Sequence, residues 1–372
     1  YPSTALRANS TLKGDVKMRS RQKQTLVALV AAGLLVASCS GSTESSSSES
    51  VESTVASVED TTTTTTIPIV RAPLTGAQAP DETVIGRPAM VVKIDNHPKA
   101  RPQWGLNQAD IVFEENVEQL TRFAAVFQSQ GSDPVGPIRS GRLQDIDLLA
   151  SLNAPLFVWS GGNAKVTSEI RKSTMIDLSH SAANEAGGFR RESSRVAPHN
   201  LVAETSKLWT LAPADAKPPV PQFEYRADGE TVPAGSKPAG AVKITMDGVD
   251  VMWEWSPENL TFIRSQDDKP HVDMEDVRVN APNVIVMSVV YGKSGSSPVA
   301  KTIGSGEVWV YTAGALIQGS WERTDPLKPY VFKDTKGAVI KLTPGRTWVE
   351  VIRAKSAVHI PEGIDTASVP YP

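Results

Sequence analysis

Cysteine is almost absent from this chain: 372 residues carry one, Cys39. No internal disulfide can form, so any folded part is held by burial alone. Histidine is nearly as scarce, five in all, with no H-E-x-x-H and no spacing of a zinc set. Neither charge sign dominates, 38 basic against 41 acidic residues, which removes the basic excess that nucleic-acid binding requires. No period of 20–50 residues recurs, which excludes a solenoid or propeller. Beyond residue 40 no apolar run approaches the ~20 residues of a membrane-spanning helix. Gly292-Lys293-Ser294 lacks the earlier glycine of a P-loop, Met287 standing there, and no Gly-x-Ser-x-Gly occurs. No cofactor and no metal are expected.

The one apolar run comes early. Leu26–Ser38 (LVALVAAGLLVAS) follows Arg19, Arg21 and Lys23 and ends at Cys39. It is too short to cross a ~30 Å hydrocarbon core but has the length and basic flank of a signal-peptide core. Val36-Ala37-Ser38-Cys39 reads as a lipobox, the place where a bacterial signal peptide is cut and the new terminal cysteine acylated. Two acyl chains at roughly 0.8 kcal/mol per buried methylene anchor a protein durably, whereas one is marginal. Residues 1–38 are read as the signal segment, with Met18 as the expected start. An acylated Cys39 leaves no thiol for catalysis. Residues 39–70 are read as the lipidated cysteine and a tether: SSSS, TTTTTT and five acidic side chains, with no basic residue. Such a composition offers too little apolar surface to offset ordering entropy. The expected location is the outer face of the cell membrane, by lipid anchor.

The remainder suits two domains. Residues 71–225 alternate strand and helix patterns. Ala89–Asp95, Ile111–Glu118 and Arg122–Gln128 read as strands and Leu156–Trp159 as a buried one. Ser140, Asn163 and Asn200 read as helix caps, the last before Leu201, Thr205, Leu208 and Trp209. The Pro- and Gly-rich end of this region leads into a connection at 226–240. Residues 241–360 carry short β-branched and aromatic runs: Val242–Met246, Val251–Trp255, Val284–Val290, Glu307–Tyr311, Ala315–Ile317, Ala338–Leu342 and Trp348–Ile352. The fold class expected is α+β, an N-terminal mixed α/β domain followed by a mainly antiparallel β C-terminal domain.

Chemistry concentrates in the first of these. Ile94-Asp95-Asn96-His97-Pro98, followed by Arg101, leaves a strand at a turn; its polar groups either satisfy that turn or build a site. In Ile111–Glu118 the alternation puts Glu115 on the face of Ile111 and Phe113, and Glu114 on the other with Val112 and Asn116. Glu114 and Glu115 therefore cannot act as an acid–base pair. A carboxylate on an apolar face must be paired or protonated, and Arg139 is one candidate partner for Glu115. Gly136–Arg142 (GPIRSGR), read as opening a helix, offers backbone N–H groups, Ser140 and the forks of Arg139 and Arg142 to an anion. Arg122 stands on the neighbouring strand pattern. Arg195 and His199, in SRVAPHN, form a weaker candidate.

These stretches also carry a resemblance. VKIDN (92–96), Arg101-Pro102-Gln103, QADIVFEE (108–115), Arg122, GPIRSGR and APHN (197–200), with IKLTPGRTWVEV (340–351), resemble the YerB-like bacterial lipoproteins, a domain of unknown function with a distinct C-terminal companion. The resemblance implies an exported, membrane-tethered envelope protein of two parts and supplies no catalytic role. Val36 and Ser38 depart mildly from that family's usual lipobox. The expected function is a binding or accessory role for an anionic ligand, a cell-wall fragment or an acidic segment of a wall-synthesis partner. In it Arg139 and Arg142 clamp, Ser140 hydrogen-bonds, and Asp95 and Glu115 orient the arginines; Asn96, Arg101, Arg122, Arg195 and His199 complete the candidate set. The alternative is an envelope hydrolase or lyase with Glu115 or Asp95 as general acid or base near His97. A third is a structural partner acting through Trp309, Trp321 and Trp348.

Overall fold

The structure, a computed structural model, describes residues 69–372. The signal segment, Cys39 and the tether up to Pro68 lie outside them. Three apolar runs near the start of the described chain pair first. β1 (Met90–Asp95), β2 (Ile111–Val117) and β3 (Leu120–Phe127) form an antiparallel set, β3 lying between the other two. β4 (Leu156–Val158) extends β1 in parallel. The free edge of β2 takes up Thr347–Arg353 in parallel, Glu114 standing opposite Glu350. That strand pairs with Asn283–Ser294, which pairs with Gly304–Thr312, and that with Ala315–Arg323. Strands from both halves of the sequence therefore share one sheet.

Both faces of this sheet are covered, and every residue of β1 and β2 is buried. On one face Val91, Phe113, Ala124 and Val126 pack with Leu148 and Leu149 of the helix Gln144–Leu149 and with Val166 and Ile170 of the helix Ala164–Lys172. On the other, Val92, Ile94, Phe123, Ala125 and Trp348 meet Val242, Ile244, Val251, Trp253 and Phe262 from a second set of strands, Lys237–Met246, Val249–Ser256 and Thr261–Gln266. Trp253 and Phe123 pack edge-on against Trp348, with centroids 5.1 and 5.2 Å away. Trp321 and Trp348 are thus core residues, as apolar burial favours.

The fold is mainly β. The mixed α/β character expected of the first half reduces to short helices, the longest nine residues. Asn163 caps that helix, its side chain accepting the Val166 N–H at 2.9 Å. The other two expected caps are corrected. Ser140 caps nothing: the helix begins at Gln144, and Asp145 reaches back to accept the Arg142 N–H at 2.6 Å. Asn200 precedes a short strand, Leu201–Val202, and its amide instead donates to the carbonyls of Glu192 and Arg195. Ala338–Leu342 shrinks to Lys341–Leu342, paired with Glu224–Tyr225. Within the stretch read as a connection, Arg226 is buried and donates to the Lys341 carbonyl, and Lys237 already begins a strand.

Candidate functional site

Strand register builds the site. Asp95, the last residue of β1, stands opposite Arg122 of β3, and Arg122 stands opposite Glu115 of β2. Opposed residues share a face, so these three form one row across the sheet, with Lys93 two residues before Asp95. The segment after β3 then returns along β1. Asp95 N–H donates to the Pro137 carbonyl, Arg139 N–H to that of Lys93, and Ile138 N–H to that of Leu201. Those bonds deliver Arg139 to Asp95 and bring His199 to the same place.

At this corner Asp95 Oδ2 lies 2.6 Å from His199 Nδ1 and 3.2 Å from Arg139 Nε, the latter without the alignment of a hydrogen bond. Asp95 Oδ1 accepts the His97 N–H at 3.1 Å. The His97 ring stacks on His199, centroids 4.1 Å apart and planes 17° from parallel. His97 Nδ1 accepts the Lys99 N–H at 3.1 Å, which leaves the ring proton of the neutral form on Nε2. Arg122 donates to the Ser140 carbonyl at 2.9 Å, and its Nε has no partner among the described residues. Burial, then Arg142 and Arg139, push the Arg122 guanidinium down to about 10. Burial first, then the facing His199, lowers His97. Arg142 turns outward to Glu118 at 2.8 Å. The side chains of Asp95, His199 and Arg139 are 3, 10 and 24% exposed, so the carboxylate is hidden while the guanidinium edge reaches solvent.

Glu115 does not belong to that surface. It is fully buried against Lys93 Nζ, which also meets Asp145 Oδ1 at 2.7 Å. Its partner is this ammonium and not Arg139, so the expected role of orienting the arginines falls to Asp95 alone. Burial, reinforced by Asp145 and opposed by Lys93, pushes the Glu115 carboxyl up to about 7. A carboxyl with no solvent access cannot serve as general base to a substrate, which corrects that alternative for Glu115. Ser140 contributes its carbonyl to Arg122 and no helix N-terminus stands behind it.

A second polar assembly occupies the opposite face. Glu114 accepts Arg264 Nη2 at 3.0 and 2.8 Å and Thr121 Oγ1 at 2.6 Å. Asn96 donates to Thr121 and to Gln266, and Arg264 also meets Gln266 and His271. His271 Nε2 lies 2.8 Å from Gln103 Oε1, and Trp253 donates to Glu350. Burial and then the neighbouring Glu114 raise Glu350, while burial and then Arg264 lower His271. Asn96 is thus a member of a sealed network and not a ligand contact. Arg101 spends its donors on Asp267 and the Asn96 carbonyl, 3.4 and 3.3 Å away. Arg195 donates to the carbonyls of Ala100 and Pro102, each at 2.6 Å, and lies 4.3 Å over the Trp104 ring. It clamps a loop, which corrects its place among the ligand residues.

Lys93, Asp145, Arg264, His271 and Glu350 escaped the sequence reading. Lys93 alone carried a signal, a charged residue two positions before Asp95 inside an apolar run. Cavities of about 490 Å³ between Phe223 and Phe332, about 280 Å³ beside Trp309 and Ile352 and about 210 Å³ beside Arg101 and His271 are lined by other residues than Asp95, Arg139 and His199. Among the described residues no group of three or more His, Cys, Asp or Glu side chains is placed to hold a metal.

The N-terminal domain of a protein of unknown function, DUF3048, matches residues 74–218, and its C-terminal domain matches 242–349. The chain belongs to the DUF3048 family. A curated relative, named "Putative lipoprotein YerB", of Bacillus subtilis (strain 168), is 28% identical over 312 residues, spanning 79% of this chain and 89% of its own. The crystal structure of YerB from Bacillus subtilis superposes with a TM-score of 0.69 at 23% identity, covering 78% of this chain and 99% of that one, which establishes a shared fold. In the DUF3048 frame the whole Asp95–His199–Arg139 corner lies in the N-terminal match, and Arg264 and Glu350 lie in or just past the C-terminal one.

Proposed function

We propose that this protein is an exported lipoprotein, acylated at Cys39 and held at the outer face of the cell membrane, whose body binds an anionic ligand at the Asp95–His199–Arg139 corner. The lipobox-like segment and the name of the Bacillus subtilis relative support the anchor. No helix of the described residues is long and apolar enough to cross a membrane. One observation carries the site: the terminal nitrogens of Arg139 make no hydrogen bond among the described residues, while Asp95 steadies its Nε. A guanidinium oriented from behind and unpaired in front suits a carboxylate or phosphate. Arg122 adds positive potential from the buried side, while Arg142 is engaged by Glu118. The ligand is a cell-wall fragment or an acidic segment of a wall-synthesis partner. The proposed division of the body is 71–225 and 241–360, joined through 226–240.

Thermal-shift titration of the full chain with muropeptides, succinate and phosphate tests the site. Stabilisation that disappears in Arg139→Ala is expected; no shift with any of the three overturns it. Cys39→Ser should move the protein from membranes to the soluble fraction of producing cells, and unchanged membrane association contradicts the anchor. A second reading rests on the 2.6 Å contact between Asp95 and His199, which suits a carboxylate holding the ring through Nδ1 with Nε2 on the far side. In that reading the base is His199, with Asp95 as its positioning residue and Glu115 uninvolved.

A further inference from the structure

We infer that the crevice beside Trp309 is a carbohydrate site that holds one neutral pyranose ring of a glycan. It shares no residue with the Asp95–His199–Arg139 corner, and neither reading depends on the other. Trp321 and Trp348 are core residues, whereas Trp309, in the same set of strands, is only half-buried. Strand alternation explains its position. On Gly304–Thr312, Val308 and Val310 share one face, and Glu307, Trp309 and Tyr311 the other. Tyr311 packs under the second layer of strands, its ring centroid 5.8 Å from that of Phe262. Two residues earlier, Trp309 lines a cavity of about 280 Å³ between this sheet and the start of that layer's edge strand, Ala357–Pro361, with Lys355 in the preceding turn.

The chemistry of the lining selects the guest. Trp309 Nε1 donates to Glu307 Oε1 at 2.7 Å, which fixes the indole and leaves the second carboxylate oxygen as an acceptor. The Lys355 ammonium and the Ser288 hydroxyl make no hydrogen bond among the described residues, so a donor and a group able to do both also remain open. Ile352 and Ala357 supply apolar wall. Lys355 sits at φ +67°, a left-handed turn position that glycine adopts with less strain, so a long side chain is placed there against local preference. An apolar guest would leave all three polar groups without partners. An anion would be opposed by Glu307, and a cation by Lys355. A neutral polyol ring meets each demand: its C–H face lies on the indole, and its hydroxyls donate to Glu307, accept from Lys355 and exchange either way with Ser288. The crevice is at the small end of ligand cavities, so it takes one ring and leaves the rest of the chain outside.

Isothermal titration of the full chain with an N-acetylglucosamine trimer and with cellotriose tests the site. The indole N–H spectrum of protein carrying isotope-labelled tryptophan gives a local readout, with Trp309→Phe identifying the Trp309 signal. Saturable binding of at least one trisaccharide is expected, and the Trp309 signal should move most. Trp309→Ala should weaken binding about tenfold, and Trp309→Phe, which keeps a flat ring, should retain most of it. Lys355→Gly relieves the turn, so the protein stays folded, and it should also weaken binding about tenfold. Arg139→Ala should leave saccharide affinity unchanged. Tighter binding of the acetylated trimer assigns the ligand to an amino-sugar glycan, and tighter binding of cellotriose to a plain glucan. No binding of either trisaccharide, a Trp309 signal that stays fixed while sugar binds, or affinity indifferent to both Trp309→Ala and Lys355→Gly overturns the inference and leaves the anion corner standing. Saccharide affinity lost in Arg139→Ala would move the sugar to that corner and overturn it as well.

Discussion

At the scale of single residues the fold spends its charges in opposite ways on the two sides of one strand. Lys93 answers two buried carboxylates at once, so its removal strands both. Lys93→Met should cost about 3–5 kcal/mol of stability, read from urea unfolding, because an unpaired buried charge costs more than the pair ever contributed. A loss below about 1 kcal/mol would show that water reaches Glu115 and Asp145. The same group gives stability a pH dependence. Glu115, raised in the fold from 4.5 to about 7, keeps a proton that the unfolded chain has released. Its contribution is full below the lower value and lost as pH rises through the upper one, so stability should increase on acidification across that window. Glu118 acts inversely: burial works to raise it, but hydrogen bonds from Arg142 and Ser297 outweigh that and hold it at about 2, so its contribution disappears as pH falls from 4.5 towards that value. Urea midpoints at pH 5, 6 and 7 check the first effect, and Glu115→Gln should flatten that slope. An unaltered slope in the variant contradicts the assignment.

At the scale of elements, what the sequence discloses depends on how local the signal is. Asn163 caps its helix through a bond three residues away, a signal wholly local to the sequence. Asn163→Ala should therefore cost about 1 kcal/mol in chemical denaturation, and no change would mean the helix is held by Val166 and Ile170 packing alone. Ser140 and Asn200 fit the same local rule and failed, because β1 pairing draws 136–139 into an extended path and Leu201 bonds Ile138. Strand positions were legible from apolar runs, whereas the environment of β2 was not. Alternation put Glu114 and Asn116 on a polar face, but a second layer of strands covers that face and buries both. Long-range partners decide such a case. Arg264 lies 150 residues from Glu114, and nothing near either residue announces the other. The same holds for His199, which reached Asp95 across 104 residues of chain.

At the scale of the whole molecule, one sheet threads both matched regions, and the Glu114–Arg264 pair crosses between them in the core. The described residues, 69–372, form one compact unit. Calorimetry of the protein should show a single cooperative transition for this body, and two resolved transitions would contradict a shared core. Arg264→Met should lower that transition sharply, by about 3–5 kcal/mol, since Glu114 would remain buried beside Glu350 with no cation. The surface corner is separate from this core chemistry, so Arg139→Ala should abolish anion binding with little change in unfolding. The most direct test is crystallographic: soak crystals of the protein in tungstate, a heavy dianion, and locate it by anomalous scattering. The account predicts a peak within hydrogen-bond reach of the Arg139 guanidinium and His199 Nε2; an empty corner, with tungstate bound elsewhere or nowhere, contradicts it.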